Sequence, residues 1–333
     1  MTASTRLCLV AGTTGTANID GLSAAGATPA AMRETPSADA ELLCYGEPVR
    51  MREMPVSPSG CPTPALFTRA VRELVGFDVT VIDGGLAEPT AAPTVSVGAK
   101  PGGDIRERDP VPSGPGAFAA ARQLGRQFPS TEVLLAETIP GGTTTALGVL
   151  RALGEQGAVS SSLRENPIAR KRQVVREGLA ASNLEPGDAV GEPKRAVRRI
   201  GDPVLATAAG TALGAIETDT AVTLAGGSQL LAVAALLRHA GVEMPLELVT
   251  TPFVRADSSA DLEGLAADLD VSVSVTDPEF PATGHPALAA YVAGEAKGGV
   301  GFGGALELAD RAGIPMARVR ERAVSLYEEV QDA

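Results

Sequence analysis

A glycine-rich turn near the middle of the chain combines residue types that could bind a small anion. The apolar segment Leu134–Ala136 is followed by the carboxylate Glu137, and then by two glycines and three threonines. Glycine lets a backbone approach a ligand closely, and the first N–H groups of a helix have no partner within the helix. Because the helix dipole is also positive at this end, the pattern predicts a phosphate site. The predicted donors are Gly141, Gly142, Thr143 and Thr144.

The turn differs from the loop that binds nucleoside triphosphates, because no Gly-Lys-Ser/Thr sequence follows its glycines. A monophosphate or a sugar phosphate therefore fits better than ATP. An ordinary strand-to-helix turn with Thr143 as its N-cap is the alternative interpretation. Glu137 favours a site, since ligands of open α/β sheets bind at the carboxyl ends of strands.

Few other side chains suit catalysis or metal binding. His239 and His285 are the only histidines, which excludes a histidine-rich metal site. The pattern places them at a helix end and in a turn, so structural roles are predicted for both. A hydrolytic triad that uses Ser228 is disfavoured, because the Gly-x-Ser-x-Gly elbow is absent. The three cysteines form no CxxC pair and are expected to act as small buried hydrophobic residues: Cys8, Cys44 and Cys61.

Composition narrows the class of protein. A chain of 333 residues with 44% hydrophobic residues can bury a large core. A net charge of −12 argues against nucleic-acid binding, which needs a basic surface. No apolar run is long enough to span a membrane, and the first residues lack the apolar core of a signal peptide, so we expect a cytoplasmic protein. Arginine far outnumbers lysine in this acidic chain, which indicates a halophilic protein or a biased codon usage.

Strand-like and helix-like segments alternate along the chain. This order predicts an α/β fold with a doubly wound, mostly parallel, Rossmann-like sheet, helices on both faces and a C-terminal helical extension. The strands are expected near 7–14, 78–85, 132–136, 221–228, 246–254 and 271–275. We expect one α/β domain over residues 1–285 and a small subdomain over 286–333. The irregular stretch 86–115 is too long for an ordinary connector and is predicted to be either functional or mobile.

Segments spread over nearly the whole chain resemble one protein family. They are Val10–Thr14, Ile19–Gly26, Pro36, Asp39–Glu41, Tyr45-Gly46, Pro55–Leu66, Val81–Leu86, Glu137–Thr145, Gly226-Gly227 and Gly294–Gly299. The chain is similar in these segments to the nicotinate-nucleotide–dimethylbenzimidazole phosphoribosyltransferases, and in particular to their archaeal homologues.

The resemblance implies a reaction and the residues that carry it. The reaction is transfer of 5-phosphoribosyl from nicotinate mononucleotide to a benzimidazole-type base, without metal or other cofactor, by a homodimer. The resemblance makes Glu295 the general base and Lys171 a phosphate ligand. It also places Glu137 and Asp83 beside the ribose, and it puts glycine turns in contact with substrate at Gly226, Gly227 and Gly294.

Each of these assignments has a plainer alternative. Glu295 could be a solvated side chain of a glycine loop, Lys171 an ordinary surface lysine, and Asp83 the cap of a turn. A protein of the same fold that binds a nucleotide or a cobamide precursor without transfer is the alternative function. Only the enzyme requires Glu295 to face the reacting carbon, so we expect Glu295 within about 10 Å of the 141–145 turn.

Overall fold

The computed structural model describes residues 4–51, 53–280 and 284–332. Within these residues seven strands form: β1 (Thr5–Ala11), β2 (Asp78–Asp83), β3 (Thr94–Ser96), β4 (Glu132–Thr138), β5 (Ala221–Ala225), β6 (Leu246–Thr250) and β7 (Val271–Val275). The helices of the first half are α1 (Pro29–Tyr45), α2 (Ala65–Val75), α3 (Gly114–Gly125), α4 (Gly142–Leu153) and α5 (Ile168–Ala181). Those of the second half are α6 (Pro193–Ile200), α7 (Pro203–Ile216), α8 (Ser228–His239), α9 (Pro252–Arg255), α10 (Leu262–Asp268), α11 (Pro286–Val292), α12 (Phe302–Arg311) and α13 (Met316–Asp332).

The strands form one sheet in the order β3-β2-β1-β4-β5-β6-β7, and every neighbouring pair is parallel. This confirms the predicted doubly wound sheet. The order reverses between β1 and β4, so the chain winds outward from this pair in both directions. Such a reversal opens a crevice at the carboxyl ends of the two strands, which is where ligands bind in sheets of this kind.

Helices cover both faces of the sheet and divide the core into two layers. One layer includes α4, α7 and α8, and the other includes α2, α12 and α13. Residues Leu7–Ala11 of β1 are all buried, as expected for a central strand that is covered on both faces. Helix α7 is buried from Pro203 to Ala215, because its small apolar side chains let other helices approach it from several sides.

The C-terminal helices belong to the second layer. Helix α12 packs on β5 and β6, and α13 packs on α2, which gives the predicted helical extension. The division of the chain at residue 285 stays a prediction. Within the part of the chain that the structure describes, no helix is both long and apolar enough to cross a membrane.

The structure corrects one expected strand. The strand expected near 246–254 stops at Thr250, where the Thr251 hydroxyl accepts a hydrogen bond from Val254 N–H and caps α9. Capping residues also set the bounds of α1, because the Thr28 hydroxyl caps its start and Gly46 ends it with a φ of 93°.

The irregular stretch 86–115 supports the carboxyl edge of the sheet. A short 3₁₀ turn follows β1 at Gly15–Asn18. Gly102 N–H donates to the Thr13 carbonyl at 2.9 Å, and Ile105 N–H donates to the Thr16 hydroxyl at 3.1 Å. These bonds hold the 3₁₀ turn in place beside the start of α4.

Candidate functional site

A cleft opens at the carboxyl edge of the sheet, beside the crevice between β1 and β4. The space in the cleft and at its mouth amounts to about 960 Å³, a part of which is open solvent. Segments that are far apart in the sequence line it, and they lie within 22–25, 35–39, 55–64, 137–143, 160–162, 227–229 and 296–300, together with Val254. The cleft therefore lies where the strand order predicts a ligand site.

The predicted glycine turn forms part of the cleft wall. Gly141 caps α4 with a φ of 79°, a conformation that favours glycine. A Cβ atom on Gly141 would lie 2.9 Å from the backbone of Ala17, so the turn also fits closely against the 3₁₀ turn. Gly142 and Thr143 line the cleft at the start of α4, but the N–H groups of Gly142 and Thr144 already donate to the carbonyls of Ile139 at 3.2 Å and of Gly141 at 3.0 Å. The positive end of the helix dipole still favours an anion at this turn.

Lys171 lies one layer behind this wall. Its side chain is fully buried, and its Nζ donates to Thr143 Oγ1 at 2.9 Å and to the Ser160 carbonyl at 2.7 Å. Burial lowers the pKa of Lys171 to about 7, and the positive charge of Lys297 acts in the same direction. Lys171 is therefore no ordinary surface lysine, but Thr143 and Ser160 separate it from the space of the cleft.

Two buried carboxylates, Glu137 and Asp39, line the cleft. Burial raises the pKa of Glu137 to about 8, and the nearby charges of Asp202 and Asp39 raise it further, against a hydrogen bond from Gln229 Nε2 at 2.8 Å. Burial raises the pKa of Asp39 to about 6, although it accepts hydrogen bonds from Thr138 and Thr63, each at 2.6 Å. Glu137 thus favours the protonated form at neutral pH and can donate a hydrogen bond.

Glu295 is buried beside the cleft but does not line it. Its carboxylate accepts hydrogen bonds from Ser57 at 2.9 Å and from Arg164 Nε at 2.5 Å, and also from Ser59. Burial alone would raise the pKa of Glu295, but these bonds outweigh it and hold the pKa below its usual range. Ser57 and residues 296–300 do line the cleft, so Glu295 is connected to it through a hydroxyl and through its own chain. The expected distance from Glu295 to the 141–145 turn stays a prediction.

The remaining predicted residues have different positions. Asp83 Oδ1 accepts hydrogen bonds from the N–H groups of Gly85 and Leu86, both at 2.9 Å, so it caps a turn outside the cleft. Gly227 lines the cleft at the start of α8, whereas Gly226 packs against Leu230. Gly294 has a φ of 87° in the turn after α11 and lies outside the lining. Thr144 is fully buried, and its hydroxyl has no hydrogen-bond partner among the described residues.

The geometry disfavours a hydrolytic triad. Ser228 begins α8 and His239 ends it, so about 16 Å of helix separates them. His239 Nε2 pairs with Glu155 at 2.8 Å, and its Nδ1 accepts from Gly191 N–H. The ring of His285 packs edge-on against Tyr327.

The cysteines are free thiols, of which Cys8 and Cys61 are buried as expected and Cys44 is half-buried. Cys61 lines the cleft, but burial and the nearby charge of Glu295 raise its pKa to about 12. A thiol in that state is a poor nucleophile at neutral pH. Among the described residues, no three His, Cys, Asp or Glu side chains are grouped so that they could hold a metal ion.

Several residues that line the cleft have no role predicted from the sequence. They are Asp39, Ser57, Ser160, Gln229 and Lys297. The segments around Asp39, Ser57 and Lys297 carried the family resemblance, but nothing in their local pattern shows that their side chains meet. Ser160 has no sequence signal that could have identified it.

Comparisons with known proteins agree with this fold. No family model matches the chain. Two crystal structures from Thermus thermophilus, of nicotinate-nucleotide-dimethylbenzimidazole phosphoribosyltransferase and of CobT, align with TM-scores of 0.61 and 0.62. Each shares 18% sequence identity and covers 97% of this chain and 83% or 84% of its own. At this identity the likeness establishes a shared fold.

Archaeal relatives are closer in sequence. A UPF0284 protein of Halobacterium salinarum is 59% identical over 330 residues, which is 99% of each chain. A UPF0284 protein of Methanothermobacter thermautotrophicus is 40% identical over 95% of this chain and 90% of its own. One of Thermococcus kodakarensis is 38% identical over 96% of both chains. The chain therefore belongs to the UPF0284 protein family.

Proposed function

We propose that the protein transfers 5-phosphoribosyl from nicotinate mononucleotide to a benzimidazole-type base. The observation that carries the proposal is the cleft itself, in which the start of α4 meets the buried carboxylates Glu137 and Asp39. The shared fold with phosphoribosyltransferases of the benzimidazole type supports the same substrates. A phosphate ester would bind at Gly141–Thr143, with Lys171 behind Thr143 as a source of positive charge.

The proposed chemistry needs no residue to become covalently attached. A nitrogen lone pair of the azole forms the new bond to C1′, while the bond from C1′ to the pyridinium nitrogen breaks and its electrons stay on nicotinate. The proton on the other azole nitrogen must go to a base. Glu295 is the proposed acceptor, because its low pKa keeps it ionised and Ser57 links it to the cleft. Protonated Glu137 would donate to a ribose oxygen.

One observation favours the alternative of a binding protein without transfer. The Glu295 carboxylate is held by Ser57, Ser59 and Arg164 outside the lining of the cleft. The nucleotide would then bind at the same turn, but no base would receive the azole proton. The two functions differ in whether nicotinate is released.

An assay of nicotinate release distinguishes these functions. Nicotinate mononucleotide is incubated with the protein, with and without dimethylbenzimidazole, and free nicotinate is measured by chromatography. The transferase releases nicotinate only when the base is present. Binding of the nucleotide by calorimetry without any release would support the alternative, and the absence of both would contradict each function.

The variant Glu295→Gln tests the proposed base. We expect nicotinate release to fall about 10²- to 10⁴-fold, the usual contribution of a general base, while nucleotide binding is retained. Glu185→Gln is the matched control, because Glu185 is exposed and lies outside the cleft. Unchanged release by Glu295→Gln would contradict the assignment of Glu295.

A further inference from the structure

Lys297 is the one positively charged residue among the described residues that line the cleft. Its Nζ donates to Asp257 Oδ2 at 2.7 Å, and the two side chains are only 6% and 7% exposed. Asp257 itself lies outside the lining and also accepts hydrogen bonds from Ser259. Lys297 therefore belongs to the wall of the cleft, and its anionic partner lies outside that wall.

Lys297 has unused capacity to bind an anion. An ammonium group has three N–H donors, and Asp257 takes one of them. No second hydrogen-bond partner of Lys297 Nζ occurs among the residues that the structure describes. Buried donors are normally paired, so the remaining ones call for water or a ligand in the cleft.

The backbone around Lys297 is strained in a way that typifies functional turns. Ala296, Lys297 and Val300 have φ values of 52°, 37° and 49°, which residues other than glycine rarely adopt. Neighbouring groups hold this conformation, since Ala296 N–H donates to the Ser162 carbonyl at 3.0 Å and the Thr251 hydroxyl donates to the Lys297 carbonyl at 2.5 Å. Such strain persists only where the surroundings enforce it, and it is concentrated at binding and catalytic sites.

The charges near Lys297 suit a phosphate monoester. Lys171 is near enough to Lys297 and Asp257 for both charges to act on it, so the three groups form one cluster. With a pKa of about 7, Lys171 is about half protonated at pH 7, so the two lysines and the aspartate carry a net charge of about +0.5, and the start of α4 adds roughly half a charge. A phosphate monoester carries about −1.5 to −2 charges at pH 7.

We propose that Lys297 binds the phosphate of the substrate directly and makes the cleft select phosphorylated over unphosphorylated ligands. Asp257 holds the Lys297 side chain in place while the cleft is empty, and it opposes the incoming anion by its own charge. That this phosphate belongs to a nucleotide rests on the function proposed above. Binding of a simpler phosphate ester does not rest on it.

Substitutions of Lys297 and of Asp257 should change phosphate binding in opposite directions, and this difference tests the proposal. Calorimetry at pH 7 measures the binding of ribose 5-phosphate, with ribose as the unphosphorylated control. Lys297→Gln should weaken ribose 5-phosphate binding about 10- to 100-fold, the loss expected for one charge-assisted hydrogen bond. Asp257→Asn should strengthen it by up to about 10-fold, because a like charge is removed while the hydrogen bond to Lys297 is kept. Lys194→Gln is the control for charge, since Lys194 is exposed and lies outside the cleft.

A double variant protects the test against misfolding. Lys297→Gln alone leaves Asp257 buried without its partner, which can destabilise the protein. Lys297→Gln/Asp257→Asn removes both charges, and its thermal unfolding shows whether it is folded. If the double variant binds ribose 5-phosphate as tightly as Asp257→Asn alone, Lys297 makes no contact with phosphate and the proposal is wrong.

The outcome is separable from that of the transferase proposal. Phosphate binding that depends on Lys297 without any nicotinate release would leave this inference intact and remove the transfer. Nicotinate release by the parent protein, together with unchanged ribose 5-phosphate binding by the Lys297 variants, would support the transferase and contradict the role proposed for Lys297.

Discussion

At the scale of residues, the cleft keeps two glutamates in opposite protonation states. Glu137 lies among the buried carboxylates Asp39 and Asp202, so its charged form is unfavourable. Glu295 is also buried, but Arg164 and two serine hydroxyls stabilise its charged form. The first carboxyl can therefore donate a hydrogen bond and the second can accept a proton, which is the division of roles that acid–base chemistry requires.

The raised pKa of Glu137 makes protein stability depend on pH. Its folded pKa of about 8 lies above the ordinary value of 4.5, so the folded state holds a proton that the unfolded state has lost. Stability should therefore fall as the pH rises from about 4.5 to 8, and the loss is complete above pH 8. Glutamine does not titrate, so the variant Glu137→Gln should not show this loss. The free energy of unfolding of the variant, compared with that of the parent protein, should therefore increase over this pH range by up to a few kcal/mol.

Thermal or denaturant unfolding at several pH values measures this difference between Glu137→Gln and the parent protein. Asp39 and Asp202 are present in both proteins, so their own titration largely cancels in the comparison. Glu185→Gln, an exposed substitution, should show no such trend. A stability difference that is the same at pH 5 and pH 9 would contradict the assignment of a raised pKa to Glu137.

At the scale of elements, the start of α4 depends on a backbone conformation rather than on side-chain capping. No side chain caps this helix start, and the positive φ of Gly141 turns the chain from β4 into α4. The 3₁₀ turn at Gly15–Asn18 closes this turn from behind. This part of the cleft wall is thus shaped by a neighbouring turn.

Gly141→Ala should destabilise the protein by roughly 1–3 kcal/mol, because it combines an unfavourable φ with a clash against Ala17. Gly116→Ala is a control that should change the free energy of unfolding in the opposite direction. Gly116 lies in α3 with open space around it, so alanine there should stabilise the protein by about 0.5–1 kcal/mol. Denaturant unfolding measures both effects, and a neutral Gly141→Ala would show that the turn adopts another conformation.

Local sequence patterns predict secondary-structure elements best where a clear pattern of apolar residues marks the element. The strands expected near 78–85 and 132–136 lie within a few residues of β2 and β4, because a run of apolar residues marks each of them. Helices α10 and α11 were not predicted. They are only seven residues each, and short segments of that kind are stabilised mainly by the packing around them.

At the scale of the whole molecule, the charge of −12 sets the conditions under which the fold is stable. Many arginines pair with carboxylates at the surface, as Arg311 does with Glu132 and Arg122 with Glu217. The excess of acidic residues repels itself, and dissolved salt screens this repulsion.

The unfolding temperature should therefore rise as KCl increases from millimolar to molar concentrations at pH 7. The rise should be smaller near pH 4.8, where the net charge approaches zero and little repulsion remains to be screened. Scanning calorimetry over both series tests this expectation. An unfolding temperature that does not change with KCl at pH 7 would contradict it.

The sequence by itself determined the parallel fold, the glycine turn and the position of Glu137 at the end of the strand before that turn. These features depend on local patterns, namely apolar strands that alternate with helices and glycines that follow a strand. Lys171 and Glu295 were identified through the family resemblance, but their surroundings were not. A residue's partners depend on where distant segments meet, and no local pattern contains that information.

Only the tertiary structure decided which charges reach the cleft. It brings Lys297 from the tail to the wall, places Lys171 behind Thr143, and binds Glu295 to Ser57 and Arg164. Asp39 and Glu137 become neighbours although about a hundred residues separate them in the chain. The physical reason is that pKa values and ion pairs depend on burial and on distance in space, and both are fixed only when the sheet and its loops pack together.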